Sequence, residues 1–361
     1  MRRTLLSLTA ALAASTGFAF GQDQPSPSPM LPSHSPATVI FAGAPTDSTV
    51  QQLPAGPASS PAQSCLGCQQ GCSQQPCCSW KVNGWLAGDF LLGFAQGQPL
   101  PAGLITSPAG TVLAGGRTNY GLSYGFRVEA GVWLNSDQTL ASQGIFDQLF
   151  RTWLTTTAPA ANVVTSAGPI PVTNVTFQEW IQFNRADGNT WIRIASSDCT
   201  RIYGIIGTKF VSLEEDVNLH TGTLFEDFHT RDAFIGANVG VVVQYNMGRL
   251  DLDGAFKVGL GINSYTTTIL STAAPAGILA SATNIGYFEN TVFSAVPEFN
   301  LGVSYRVTER ISARFGYTFL AFSNVQRAGT EVTQTLGGSP YTPARETFLL
   351  NALNFGAIFR Y

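Results

Sequence analysis

From Trp85 to Tyr361 apolar and polar side chains alternate with a period of two, run after run, and only an extended strand puts every second side chain on one face. Between Leu122 and Leu134 one face reads Leu122, Tyr124, Phe126, Val128, Ala130, Val132, Leu134, while the other carries Ser123, Gly125, Arg127, Glu129, Gly131 and Trp133. Over 233–245, Ile235, Val239, Val241, Val243 and Tyr245 oppose Gly236, Asn238, Gly240 and Gln244. Leu250, Leu252, Phe256, Val258 and Leu260 then oppose Asp251, Asp253, Lys257 and Gly259. In 293–306 Phe293, Phe299, Leu301, Val303 and Tyr305 face away from Ser294, Glu298, Asn300, Ser304 and Arg306, and in 311–319 Phe315 and Tyr317 face away from Arg314 and Thr318. The last run, about 348–361, sets Leu353, Phe355, Phe359 and Tyr361 on one face. Weaker runs at 85–94, 144–153, 189–196 and 201–213 bring the expected strands to about ten.

The connections are also ordered. Long ones, rich in Thr, Ala, Gly and Pro, span 95–119, 154–188, 216–231, 263–290 and 324–346, and short ones fall near 135–142, 197–200, 246–248 and 307–309. Long loops at one end and short turns at the other are the layout of a transmembrane up-and-down barrel. The expected fold is therefore an all-β, transmembrane, antiparallel up-and-down β-barrel over 81–361, of about ten strands, or twelve if 264–288 folds into a further hairpin. Short turns and both chain ends face the periplasm in that layout, and the long loops are extracellular. Pro297 interrupts a good strand, where it removes a ladder hydrogen bond, so a bulge or bend is expected there.

Composition fits a wall facing lipid. Lys and Arg number 19 and Asp and Glu 22, together 11% of 361 residues, against roughly a quarter in ordinary soluble domains. A net charge of −3 leaves no basic footprint for nucleic acid. After the N-terminus no segment reaches the ~18 consecutive apolar residues of a transmembrane helix, so strands must do the crossing.

The first 80 residues read differently. Arg2 and Arg3, an apolar stretch over 5–14 and small residues before Gln22 make 1–21 a signal peptide and imply export. The segment 22–64 holds nine of the 20 prolines and eight serines, which predicts a disordered linker. A Cys-rich segment, 65–80, follows with Cys65, Cys68, Cys72, Cys77 and Cys78, and the sixth cysteine, Cys199, lies far away in a short turn. In an exported chain six cysteines favour disulfides, although close thiolates also suit zinc or another soft metal. We expect disulfides and no metal. An odd five in the cluster points to Cys199 as the distant partner of one of them.

Several blocks carry a resemblance: Pro99-Leu100-Pro101, Val112-Leu113-Ala114-Gly115-Gly116, Tyr124-Gly125-Phe126-Arg127, 207–215, 226–236, Asn284-Ile285-Gly286, Val296-Pro297-Glu298-Phe299, 315–320 and Val325-Gln326-Arg327-Ala328-Gly329. In order, from about Trp85 to Tyr361, the chain resembles the β-barrel porin family of outer-membrane proteins numbered seven, departing from its pattern at Lys209 and Asp232. The resemblance implies an outer-membrane barrel and brings no catalytic residue with it.

Function has to be read from the inward faces. Arg127, Glu129, Lys209, Lys257, Glu298 and Arg314 are the expected lumen-lining residues, with Asp251, Asp253, Arg306 and Arg360 beside them. In a barrel this narrow such charges either pair into a network that fills the lumen or line a small, weakly selective path for small solutes. A porin or narrow passive channel is thus one expectation, and a non-conducting structural or adhesive surface protein the alternative. A rim hydrolase would draw on His220, Asp227 and His229 with Glu215 and Asp216, but no Gly-x-Ser-x-Gly nucleophile motif accompanies them, and no enzyme is expected. Neither a dinucleotide fingerprint nor a phosphate loop is present, so no cofactor is expected. The expected partners are outer-membrane lipid and the barrel-assembly machinery, the latter through the C-terminal strand ending at Tyr361.

Overall fold

A computed structural model describes residues 83–273, 277–336 and 341–361. The signal peptide, the linker and the cluster Cys65, Cys68, Cys72, Cys77 and Cys78 lie outside the described residues. The strands are β1 (Gly84–Ala95), β2 (Ile105–Thr106), β3 (Val112–Ala114), β4 (Ser123–Trp133), β5 (Leu140–Thr165), β6 (Gly168–Ser196), β7 (Thr200–Thr221), β8 (Leu224–Met247), β9 (Leu250–Ser271), β10 (Gly286–Arg306), β11 (Ile311–Gln326) and β12 (Arg345–Arg360). One helix, α1 (Ala328–Leu336), stands between β11 and β12.

The twelve strands form one sheet in the order β3-β2-β5-β4-β1-β12-β11-β10-β9-β8-β7-β6, and a further β5–β6 pairing closes it into a ring. Ten strands make that ring, each antiparallel to its neighbours, because β2 and β3 are a short hairpin hung on β5 through Ile105↔Val163. The first and last strands meet over Trp85↔Arg360 to Ala95↔Leu350, so the sheet has no free edge within the wall. The backbone N–H groups of Asn83 and Gly84 donate to the Tyr361 carbonyl at 2.7 and 3.2 Å, which fixes where the chain enters the barrel.

Alternation sorts the two faces as the sequence predicts. Ile235, Val239, Val241, Val243 and Tyr245 point outward from β8, and Phe293, Leu301, Phe315, Phe355 and Phe359 do so from β10, β11 and β12. Val241, at the middle of its strand's apolar run, is 42% exposed. Water would be a poor neighbour for so continuous an apolar surface, and lipid a good one.

Three expectations need correcting. The long connections at 154–188, 216–231 and 263–290 are mostly strand: β5 and β6 run for 26 and 29 residues and turn only at 166–167, well beyond the 9–11 residues a bilayer requires. Their outer faces are Thr- and Ala-rich rather than apolar, so the alternation that marks a half-buried strand fades there. The two additional strands arise in 105–114, not in 264–288, where the end of β9 and the start of β10 flank a link over 272–285. Pro297 makes no bulge: its register with β9 runs unbroken through Pro297↔Val258, while pairing with β11 starts only at Glu298↔Leu320. The missing N–H is accommodated by ending a ladder beside it. Register shifts lie elsewhere: between Leu149 and Thr152 in β5, between Arg193 and Ala195 in β6, between Ile105 and Thr106 in β2, and between Phe322 and Val325 in β11, where Asn324 takes a φ of 54°.

Candidate functional site

Inside the wall the side chains form layers along the barrel axis, and the central layer is charged. Arg127 on β4 makes two bonds to Asp147 on β5, at 2.7 and 2.9 Å, and Arg185 on β6 holds the same carboxylate at 2.8 Å. Arg185 also reaches Glu298 on β10 at 2.5 Å. Glu298 takes Lys257 at 2.9 Å and a short contact from Lys209, and Lys257 and Lys209 share Asp187, at 2.9 and 3.7 Å. Beside this chain Arg314 holds Glu129 at 2.9 Å, with Asp89 and Asp253 at 3.6 and 3.9 Å, and Glu129 accepts from Trp85 and Gln143 at 2.8 Å each. Arg185, Lys209 and Glu298 are each about 1% exposed. Charges so dry persist only because each has opposite charge against it.

All six of Arg127, Glu129, Lys209, Lys257, Glu298 and Arg314 therefore point into the barrel, where the layer brings them together with four acids and bases that the sequence pattern does not single out: Asp89, Asp147, Arg185 and Asp187. Arg185 and Asp187 fall inside a segment that reads as a connection. The available signal is the odd-numbered series Phe183, Arg185, Asp187, Asn189, Trp191; it is masked because Asn184, Ala186, Gly188 and Thr190 on the outward side give no apolar contrast.

An apolar layer sits directly on the charged one. On strand after strand it comes from the residue two positions nearer the long-loop end: Leu91 after Asp89, Leu149 after Asp147, Phe183 before Arg185, Val211 after Lys209, Val296 before Glu298, Leu320 after Thr318. Phe234, Phe322 and Phe348 fill its centre. At the boundary of these layers lies a cavity of about 10 Å³ lined by Leu91, Arg127, Asp147, Phe183 and Leu320, no more than the room one water needs.

Beyond it α1 and the segments 99–105 and 277–285 pack together at the long-loop end. Arg327 donates to Glu215 at 2.6 Å and to the Gln96 carbonyl at 2.9 Å; Gln98 accepts from the Gly329 N–H at 2.8 Å; Asn284 donates to Thr335 at 2.9 Å. Ala328 and Val332 of the helix pack with Leu100, Leu104, Val163, Phe177, Val217 and Phe228. Glu331 turns inward as well, where burial pushes its carboxyl up to about 8. A raised folded-state pKa stabilises the docked helix fully below about 4.5 and loses that contribution as pH rises through about 8. Amide exchange in 328–336 should therefore be slower at pH 5 than at pH 9 once intrinsic rates are corrected, and Glu331→Gln should abolish the difference; equal protection in the parent protein at both pH values would contradict this.

At the short-turn end the lumen is open space. A cavity of about 1030 Å³ reaches from the turn residues Asp198, Cys199, Gly248, Arg249 and Thr308 up to Arg127, Arg185, Lys257 and Glu298 of the charged layer. Its walls differ. Trp85, Trp133 and Trp191 form an aromatic wall with ring centroids 5.6 Å apart for Trp85–Trp133 and for Trp85–Trp191. Gly131 makes this possible, because a Cβ there would collide with the Trp85 ring. The other wall is ionic: Arg306 grips Asp251 at 2.8 and 3.0 Å, and Arg360 approaches Asp251 at 3.3 Å.

Of the rim residues considered for hydrolysis, three come together on the outer face of the wall: His229 and Asp216 meet at 3.4 Å beside Trp180, and Asp227 hydrogen-bonds to Asp216. Glu215 instead points inward to Arg327. Among the described residues no group of three or more His, Cys, Asp and Glu could hold a metal ion.

The family model described as Putative beta barrel porin-7 matches residues 174–356. Among solved structures the chain is similar to the outer membrane protease OmpT from Escherichia coli, at 9% identity, covering 78% of this chain and 97% of that one with a TM-score of 0.49. It is also similar to Ail, the attachment invasion locus protein of Yersinia pestis, at 7% identity over 78% of this chain and 100% of that one, TM-score 0.26. A third similarity is to a major outer membrane protein from Thermus thermophilus, at 9% identity over 77% and 99% of the two chains, TM-score 0.31. No curated protein sequence matches.

Proposed function

The chain belongs to the Putative beta barrel porin-7 family, and on that premise we propose that it is an outer-membrane barrel closed in its resting form, with a blind vestibule facing the periplasm. The single observation that carries this reading is the pairing of the charged layer with the apolar layer above it, with a cavity of only about 10 Å³ at their boundary. A hydrated ion crossing that boundary would have to break Arg127–Asp147 or Arg185–Glu298 and also part Phe183 from Phe348. The barrel's role is then structural, its Thr-rich extended hairpin of β5 and β6 standing out from the outer surface, and no reaction is assigned to it. Tyr361, exposed at the seam where β1 meets β12, is the end that would engage the assembly machinery.

A second reading, a narrow passive channel, is favoured by one observation: the mixed-charge vestibule already extends through the short-turn half of the lumen. Liposome swelling distinguishes the two. Folded protein, identified by its heat-dependent gel shift, should give no swelling with arabinose or glycine above empty liposomes. Swelling whose rate falls with solute size would replace the closed barrel by the channel.

A further inference from the structure

The vestibule is roomy and two-sided. Its volume of about 1030 Å³ lies at the upper end of the ~300–1,000 Å³ of ligand pockets. Something that carries amides on one side and rings or aliphatic groups on the other would fit both walls.

The chain itself supplies such a group. The polypeptide enters the barrel at Asn83, whose carbonyl accepts from the Trp133 backbone N–H at 2.8 Å on the vestibule's aromatic wall. Cys199, in the turn between β6 and β7, lines the same cavity from across the mouth. Ahead of Lys81 and Val82 the sequence carries no charge from Ser48 to Trp80, and over 65–78 it offers Gln69, Gln70, Gln74 and Gln75 among its five cysteines, with Leu66 and Pro76.

We propose that the vestibule is the docking site for the chain's own segment 65–78, held there by a disulfide between Cys199 and one cysteine of that cluster. Reach is sufficient. A ten-stranded ring is roughly 20 Å across from strand spacing and tilt, and the chain from Asn83 back to Cys72 spans up to about 38 Å at ~3.5 Å per residue. Cys65, Cys68 and Cys72 cross the mouth with slack, while Cys77 and Cys78 are close to or beyond their limit. Amide groups such as those of the four glutamines suit the ionic wall of Arg306, Asp251 and Arg360, and apolar groups such as those of Leu66 and Pro76 suit the wall of Trp85, Trp133 and Trp191. In forming the bond each thiol gives up a proton and an electron. The two electrons reduce a disulfide-donor protein to its dithiol, which also takes the protons. The proposal relies on the outer-membrane reading only for an oxidising compartment.

The test uses the full chain from outer-membrane fractions. Thiols are alkylated without reduction, the protein is digested, and cross-linked peptides are mapped by mass spectrometry. The expected result is one peptide joining Cys199 to a cysteine within 65–78 and no alkylated Cys199; alkylation of Cys199 throughout overturns the proposal. Docking is read separately by iodide quenching of tryptophan emission. Cys199→Ser should lose protection that the parent has, provided its heat-dependent gel shift shows a folded barrel, and reduction of the parent should lose it equally. Protection unchanged in both cases would leave the vestibule to water or a small solute and overturn the docking. Neither failure bears on the flux measurement, so the closed-barrel reading stands or falls on its own.

Discussion

Glu298→Ala is expected to destabilise the barrel by about 3–5 kcal/mol, because it leaves buried charge without its partner. Glu298 accepts from Lys209, holds Lys257 at 2.9 Å and Arg185 at 2.5 Å, and is itself about 1% exposed. Once it is removed, three cations face only Asp147 and Asp187, neither of which can move far in a paired sheet. Burial makes that repulsion expensive. The asymmetry of buried pairs gives the control: Glu298→Met combined with Lys209→Met removes one charge of each sign and should recover part of the loss, since a well-packed apolar pair replaces a buried ion pair at little cost. Urea unfolding in lipid vesicles measures all three proteins. A Glu298→Ala midpoint equal to the parent's would mean that the charged layer is hydrated and does not hold the lumen closed.

Val241→Arg is the second large effect. Val241 lies on the outward face of β8 among Val239, Val243 and Ile235, and its strand neighbours at that level are Gly204 on β7 and Phe256 on β9. No side chain of opposite charge faces lipid there. An arginine near the bilayer midplane costs roughly 2–4 kcal/mol in barrels of this kind. The expected outcome is a lower folded yield in vesicles and an unfolding midpoint shifted by that amount, with little change for Val241→Leu. A Val241→Arg protein as stable as the parent would place this face in water.

Most of the wall was legible in the sequence because its two solvents differ so sharply. Where lipid lies on one side and charged side chains on the other, as along Phe293 to Tyr305 against Ser294 to Arg306, alternation is unambiguous and sets the register face by face. Where β5 and β6 pass beyond the apolar belt, Thr155, Thr157, Thr176 and Gln178 face outward and contrast with nothing, so strand reads as loop. The charged layer was legible in part for the same reason: Arg127 and Glu298 sit opposite apolar neighbours, Arg185 and Asp187 do not. What packs together at the long-loop end could not be read from local pattern at all. Arg327 finds Glu215 from 112 positions away and Gly329 finds Gln98 from 231, contacts set by ring closure rather than by neighbouring sequence.

The central claim, that opposed charges and the apolar layer above them close the lumen, is tested most directly by current across a planar bilayer. Folded parent protein added at micromolar concentration should insert without uniform conductance steps in 1 M KCl. Stable steps of one size from the folded parent, blocked by neither reduction nor a change of pH, would contradict it and establish an open path past Arg185 and Phe183.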